Sequence, residues 1–153
     1  MADVKFVDNS VKVKGAINKA IIAGLYEGAG ELEGQAKRNT RRDHGQTAGS
    51  WTYKVEESKG EAVVGSPLEN AIWEEFGTGE YALKGDGRKG GWYVPESKLS
   101  SKAKSKMKRV EIKGQVYYYT KGKKPSRAFW KAFVKLKPKI PKIFADKLKG
   151  LGK

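Results

Sequence analysis

Three places in the chain combine residue types that could do chemistry. Asp43-His44 sets a carboxylate beside the single imidazole of the chain, the raw material of an acid–base pair. Glu74-Glu75 offers two carboxylates, the groups a glycosidase uses. Gly85-Asp86-Gly87-Arg88-Lys89-Gly90 spells G-x-G-x-x-G, the pattern of a phosphate-cradling loop. None of the three is completed by its surroundings. His44 has no second histidine, no cysteine and no G-x-S-x-G serine to work with. Adjacent glutamates diverge on a helix or a strand, whereas glycoside chemistry needs both carboxylates facing one bond. The glycine run leads into Trp92-Tyr93-Val94, which reads as a strand where the dinucleotide fingerprint needs a helix, so it is expected to be a mobile glycine loop. With no cysteine and one histidine, a zinc site of Cys and His ligands cannot be built. No catalysis, no metal and no cofactor is therefore expected.

Charge points elsewhere. The formal net charge is +15, and it is concentrated at one end. Residues 98–153 carry 19 Lys and Arg against two acids, while residues 1–97 carry 13 against 15. Such asymmetry suggests an anionic partner for the C-terminal half. Lys102, Lys104, Lys106, Lys108, Arg109, Lys121, Lys123 and Lys124 are the candidate contacts. Lysine outnumbers arginine there, which favours non-specific electrostatics over base reading. The bland alternative is a solvated lysine surface that keeps the chain soluble. No apolar stretch approaches the ~20 residues of a membrane span, and the N-terminus lacks an apolar signal core.

The elements that must position these groups follow from periodicity. Ile17, Ile21, Leu25, Gly28 and Leu32 recur at three- and four-residue steps and predict a helix over about 13–36. Ala16, Ala20, Gly24 and Gly28 line it with small residues, and its glycines invite a break near Gly28–Gly34. Residues 37–49 are polar and read as a loop. Trp51, Tyr53 and Val55 alternate with polar residues, and with 61–65 they predict an antiparallel hairpin around Lys59-Gly60. Asn70 to Gly79, Asn-Ala-Ile-Trp-Glu-Glu-Phe-Gly-Thr-Gly, puts Trp73 and Phe76 on one face of a helical turn that Gly77 and Gly79 stop. Residues 80–115 are expected to be a mobile insertion with a hairpin, its 96–109 part a Ser/Lys-rich loop. Val110–Ile112 and Gln115–Thr120 pair around Lys113-Gly114. Pro125 is placed in the first turn of a C-terminal amphipathic helix running to about Lys137, beyond which Pro138 and Pro141 impose a kink or a second short helix on a basic tail, 138–153. The fold class is α+β: one domain with a long N-terminal helix, an antiparallel sheet of hairpins and a proline-kinked C-terminal helix.

Three blocks resemble one family, the small tail-component proteins of long-tailed double-stranded DNA phages, called tail-completion, head–tail joining or minor capsid proteins. Asp43-His44-Gly45-Gln46-Thr47-Ala48-Gly49-Ser50 is similar to the family's Asp-Thr-Gly-x-Leu-x-x-Ser, with His44 and Thr47 departing from it. Ile72-Trp73-Glu74-Glu75-Phe76-Gly77-Thr78-Gly79 resembles its aromatic-Val-Glu-aromatic-Gly-Thr signature. Pro125-Ser126-Arg127-Ala128-Phe129 is similar to the Pro-x-x-Phe opening of its last helix.

The resemblance marks Asp43, Gly45, Ser50, Trp73, Glu74, Phe76, Gly77, Thr78, Gly79, Pro125 and Phe129 as residues that carry fold and interface. It implies a structural virion protein of the neck or proximal tail, present in the host cytoplasm during assembly. Its partners would be further copies in a ring and neighbouring head-completion, tail-terminator or tail-tube proteins, with non-specific DNA contact and no membrane. The long helix and the 96–120 segment are the expected subunit contacts. The competing reading is a non-specific nucleic-acid-binding module built on the basic half.

Overall fold

The computed structural model describes Lys5 and residues 7–41 and 45–152. Asp43 and His44 lie outside the described residues. The chain is α+β, and its contacts cluster into two compact units.

The first unit comprises Met1–Gln35, Thr52–Gly65 and Ala132–Lys153. Helix α1 (Ser10–Asn39) supplies most of it and runs into the second unit at Ala36. The exposed Asp8 carboxylate accepts the Ser10 amide at 2.8 Å and so begins the helix, and that bond lowers its pKa. The helix does not break at Gly28–Gly34. Packing outweighs glycine's poor helicity here. A methyl group on Gly24 would fall 2.7 Å from the Phe144 ring, so glycine is what lets that ring lie on the helix backbone.

Strands β1 (Thr52–Glu56) and β2 (Glu61–Gly65) form the expected hairpin, in register from Thr52↔Gly65 to Glu56↔Glu61. Tyr53 meets Tyr26 of α1 edge-on at 6.4 Å, and Tyr26 donates its hydroxyl to Glu57 at 3.0 Å. Ala20, Ala29, Leu32, Ala132 and Leu136 are buried.

The last helices are separate. The residues of α5 (Ala128–Leu136) from Ala132 onward belong to this unit, followed by a turn at 137–139 that holds Pro138, then α6 (Ile140–Lys149) with Pro141 in its first turn, where the missing amide donor costs nothing. Lys147 of α6 pairs with Glu27 of α1.

The second unit comprises Ala36–Trp51 and Ser66–Lys131. It contains a helical turn α2 (Gln46–Gly49), helix α3 (Glu69–Phe76) and a three-stranded antiparallel sheet. Its strands β3 (Trp92–Pro95), β4 (Lys108–Ile112) and β5 (Gln115–Thr120) lie in the order β3-β5-β4, so the hairpins of the chain form two sheets rather than one.

Two local expectations are corrected. Residues 37–49 are not all loop: α1 continues to Asn39, where the Thr40 hydroxyl donates to Ala36 O at 2.7 Å, and α2 occupies 46–49. The 96–109 stretch contains a 3-10 turn, Glu96–Lys98, and a helical turn α4 (Ser101–Lys104) capped by the Ser100 hydroxyl, which accepts the Ala103 amide. Among the described residues no helix is long and apolar enough to cross a membrane.

Candidate functional site

The motif residues of the second unit are assembled by point-to-point bonds between segments far apart in sequence. Helix α3 buries Ala71 and Glu74 and leaves Ile72, Trp73 and Phe76 57%, 45% and 44% exposed. The anchor of the motif is therefore the glutamate pair rather than its aromatics. The two carboxylates diverge. Glu74 pairs with Lys123 through Oε1, and no hydrogen-bond partner for its buried Oε2 occurs among the described residues. Glu75 accepts the amides of Phe129 at 2.9 Å and Trp130 at 3.0 Å.

These are second and third amides of α5, the donors an N-cap side chain ordinarily satisfies. A carboxylate there also meets the positive end of the helix. Ser126, the local residue best suited to that task, is engaged elsewhere: its amide and hydroxyl both donate to Glu74 O, at 2.7 and 2.9 Å. Glu75 thus caps α5 from a helix more than fifty residues upstream.

Gly77 ends α3 at φ 75°, ψ 176°, a conformation essentially confined to glycine. A methyl group there would fall 2.8 Å from both Pro125 Cδ and Tyr81 O. Thr78 donates its amide to Lys123 O and accepts the Lys123 amide on Oγ1, both at 2.9 Å, and Glu80 donates to Lys121 O at 2.9 Å. Gly79, at φ 62°, is pressed against Lys121 O and the Trp92 ring.

Pro125 is not in the first turn of α5. The helix begins at Ala128, because Arg127 takes a left-handed φ of 53° and Pro125 is used to pack on Gly77. Phe129 stacks on the buried Trp51 at 5.3 Å and 14°, and the Trp51 indole donates to Thr40 Oγ1 at 2.7 Å. Ser50 exchanges a 2.6 Å hydrogen bond with Ser66. Gly45 stands at φ 76° just before α2.

The structure therefore gathers Glu74, Gly77, Thr78, Gly79, Pro125 and Phe129 into one interlock. It places Ser50 and Gly45 on the α2 turn, and leaves Trp73 and Phe76 facing outward. Sequence reasoning missed Glu75, Trp51 and Thr40. Glu75 has no local signature as a cap, since capping patterns are read within four residues.

A groove of about 720 Å³ lies on the same unit. Six of the eight expected anion-contact residues line it, Lys102, Lys106 and Lys108 from the α4–β4 segment and Lys121, Lys123 and Lys124 from the segment after β5. Arg41 joins them, and Glu74 is the one acid among the described lining residues. Lys104, paired with Glu96 at 3.3 Å, and Arg109 do not line it. Trp92, Tyr81 and Tyr119 give the groove aromatic walls. Among the described residues no cluster of His, Asp and Glu could hold a metal ion.

No curated protein and no solved structure matches the chain. A family model does match, over residues 5–77: HK97-gp10_like, described as "Bacteriophage HK97-gp10, putative tail-component". The matched stretch takes in α1, the Asp43–Ser50 block and the Ile72–Gly77 core of the second block; the Pro125–Phe129 block lies beyond it. Over those residues the chain carries the sequence pattern of a phage tail-component family, the kind of protein its motif blocks resemble.

Proposed function

We propose that the protein is a structural, non-catalytic component of the phage neck or proximal tail, acting in head–tail joining or tail completion as one subunit of a ring. The observation that carries this reading is the family match together with what the matched motif does with its apolar side chains. Helix α3 buries a glutamate and turns Ile72, Trp73 and Phe76 outward, beside Leu83 at 50% exposure. Apolar side chains held out in a group are the usual mark of a protein–protein contact. Identical subunits packed head-to-tail would cover such a face while closing a ring.

A second exposed stretch supports the same reading. Residues 10–19 of α1 are exposed apart from half-buried Ala16, and Val11 is 83% exposed. Two valines and a glycine make this a poor helix without a neighbour to pack on.

The test is assembly of tailed particles with Ile72→Ser/Trp73→Ser in place of the natural chain. The proposal expects a folded variant and a loss of joined, tailed particles. Normal particles carrying the variant would overturn the interface.

A second reading, non-specific nucleic-acid binding by the basic half, is favoured by one observation: six of the eight named cations surround one groove. It predicts binding that weakens steeply with salt.

A further inference from the structure

Register partners in an antiparallel sheet present their side chains to the same face. Tyr93 pairs with Tyr119, and Tyr119 with Lys108. This face of the β3-β5-β4 sheet therefore carries Tyr93 and Tyr119 side by side, their rings 5.4 Å apart, with Tyr93 51% exposed. Tyr119 is held in place by its hydroxyl, which donates to Gly90 O at 3.0 Å. A second cavity of about 760 Å³ opens over this face, with Arg88 among its lining residues. Trp92, Lys108 and Tyr119 line both this cavity and the cationic groove, so the two adjoin at the end of the sheet where β3 and β4 begin and β5 ends.

Two chemistries thus meet at this end of the sheet: a row of lysines that suits phosphates as point charges, and two flat rings, Tyr93 exposed and Tyr119 half-buried, that suit planar, unpaired bases. A purely acidic segment such as polyglutamate would use the lysines but brings no planar ring to the tyrosines. A duplex would keep its bases stacked inside and leave the rings idle. We propose that this surface binds single-stranded nucleic acid, the backbone following the lysine groove and bases stacking on Tyr93 and Tyr119. The proposal deepens the nucleic-acid reading and concerns the second unit alone; it does not depend on ring assembly.

The experiment is fluorescence anisotropy on the full chain with a labelled oligothymidylate of about twelve nucleotides, within the span one such groove covers. A duplex of the same length and a polyglutamate peptide serve as competitors. The expected result is tighter binding of the single strand than of the duplex. Tyr93→Ala should weaken the single strand about five-fold or more while leaving the duplex unchanged, and Tyr93→Phe should restore it. Lys106→Ser/Lys108→Ser, both exposed positions, should weaken both ligands and flatten the salt dependence.

Equal binding of single strand and duplex, indifferent to Tyr93→Ala, would overturn the proposal and leave non-specific nucleic-acid binding standing. No binding of either at low salt would overturn both. Displacement of the labelled strand by polyglutamate at lower concentration than by unlabelled oligothymidylate would overturn both in favour of an acidic protein partner.

Discussion

Each of the two units is held together internally in its own way. In the first, a long helix, a hairpin and α6 meet through small residues and rings: Gly24 under Phe144, Tyr26 against Tyr53, alanines and leucines in the core. Such contacts are spread over many atoms, and each gives a little when disturbed. In the second, single bonds and single glycines connect segments distant in sequence: Glu75 to α5, Thr78 to Lys123, Gly79 against Lys121. Here one atom decides whether a segment fits. The matched family model ends at Gly77, inside this interlock, and the residues that complete it come from beyond the match.

Substitutions can break this contrast, and the glycines do so hardest. Gly79→Ala meets backbone oxygen and an indole ring at a positive φ, so no side-chain movement relieves it. Gly77→Ala is forced into a region open only to glycine. Each is expected to cost about 3 kcal/mol or more, read as a fall in melting temperature, with the loss of hydrogen-exchange protection starting in 66–131.

Next is Glu75→Ala. It removes both amide acceptors and the charge at the start of α5, an expected loss of about 1–2 kcal/mol by denaturant unfolding. A wild-type midpoint for this variant would mean that α5 is capped by other means.

Gly24→Ala in the first unit sharpens the comparison. The added methyl group must displace the Phe144 ring, but alanine favours the helix by roughly 1 kcal/mol. The net change is expected within about 1 kcal/mol of zero, well below the effect at Gly79. If Gly24→Ala proves as costly as Gly79→Ala, the contrast between the units fails.

The smallest effect concerns Tyr26. Its hydrogen bond to the Glu57 carboxylate, and then the nearby charge, raise its pKa above the ordinary 10.0. The bond's contribution is fully present below that ordinary value and is lost as pH rises through the folded pKa. Glu57→Gln is expected to bring the Tyr26 titration, followed by ring carbon shifts, back toward 10.0.

The same contrast explains what the sequence discloses. The α1 stripe, the Tyr53–Val55 alternation and the tyrosine strand are periodic, and periodicity is visible without partners. The turn at Gly77 and Gly79 is legible because glycine residues mark it. The partners of the motif are not, since nothing near Pro125 signals that Glu75 caps α5 or that Phe129 stacks on Trp51. The exposure of Trp73 is likewise hidden, because spacing gives a shared face and not which face is buried.

The central proposal is that the outward face of α3 joins this chain to virion proteins. The most direct measurement is quantitative mass spectrometry of gradient-purified particles, assembled either with the natural chain or with Ile72→Ser/Trp73→Ser. The account predicts the natural chain in tailed particles at low copy relative to the major capsid protein. It predicts the variant, soluble and folded, in the unassembled fraction beside unjoined heads and tails. Tailed particles that lack the natural chain, or that incorporate the variant equally well, would contradict it.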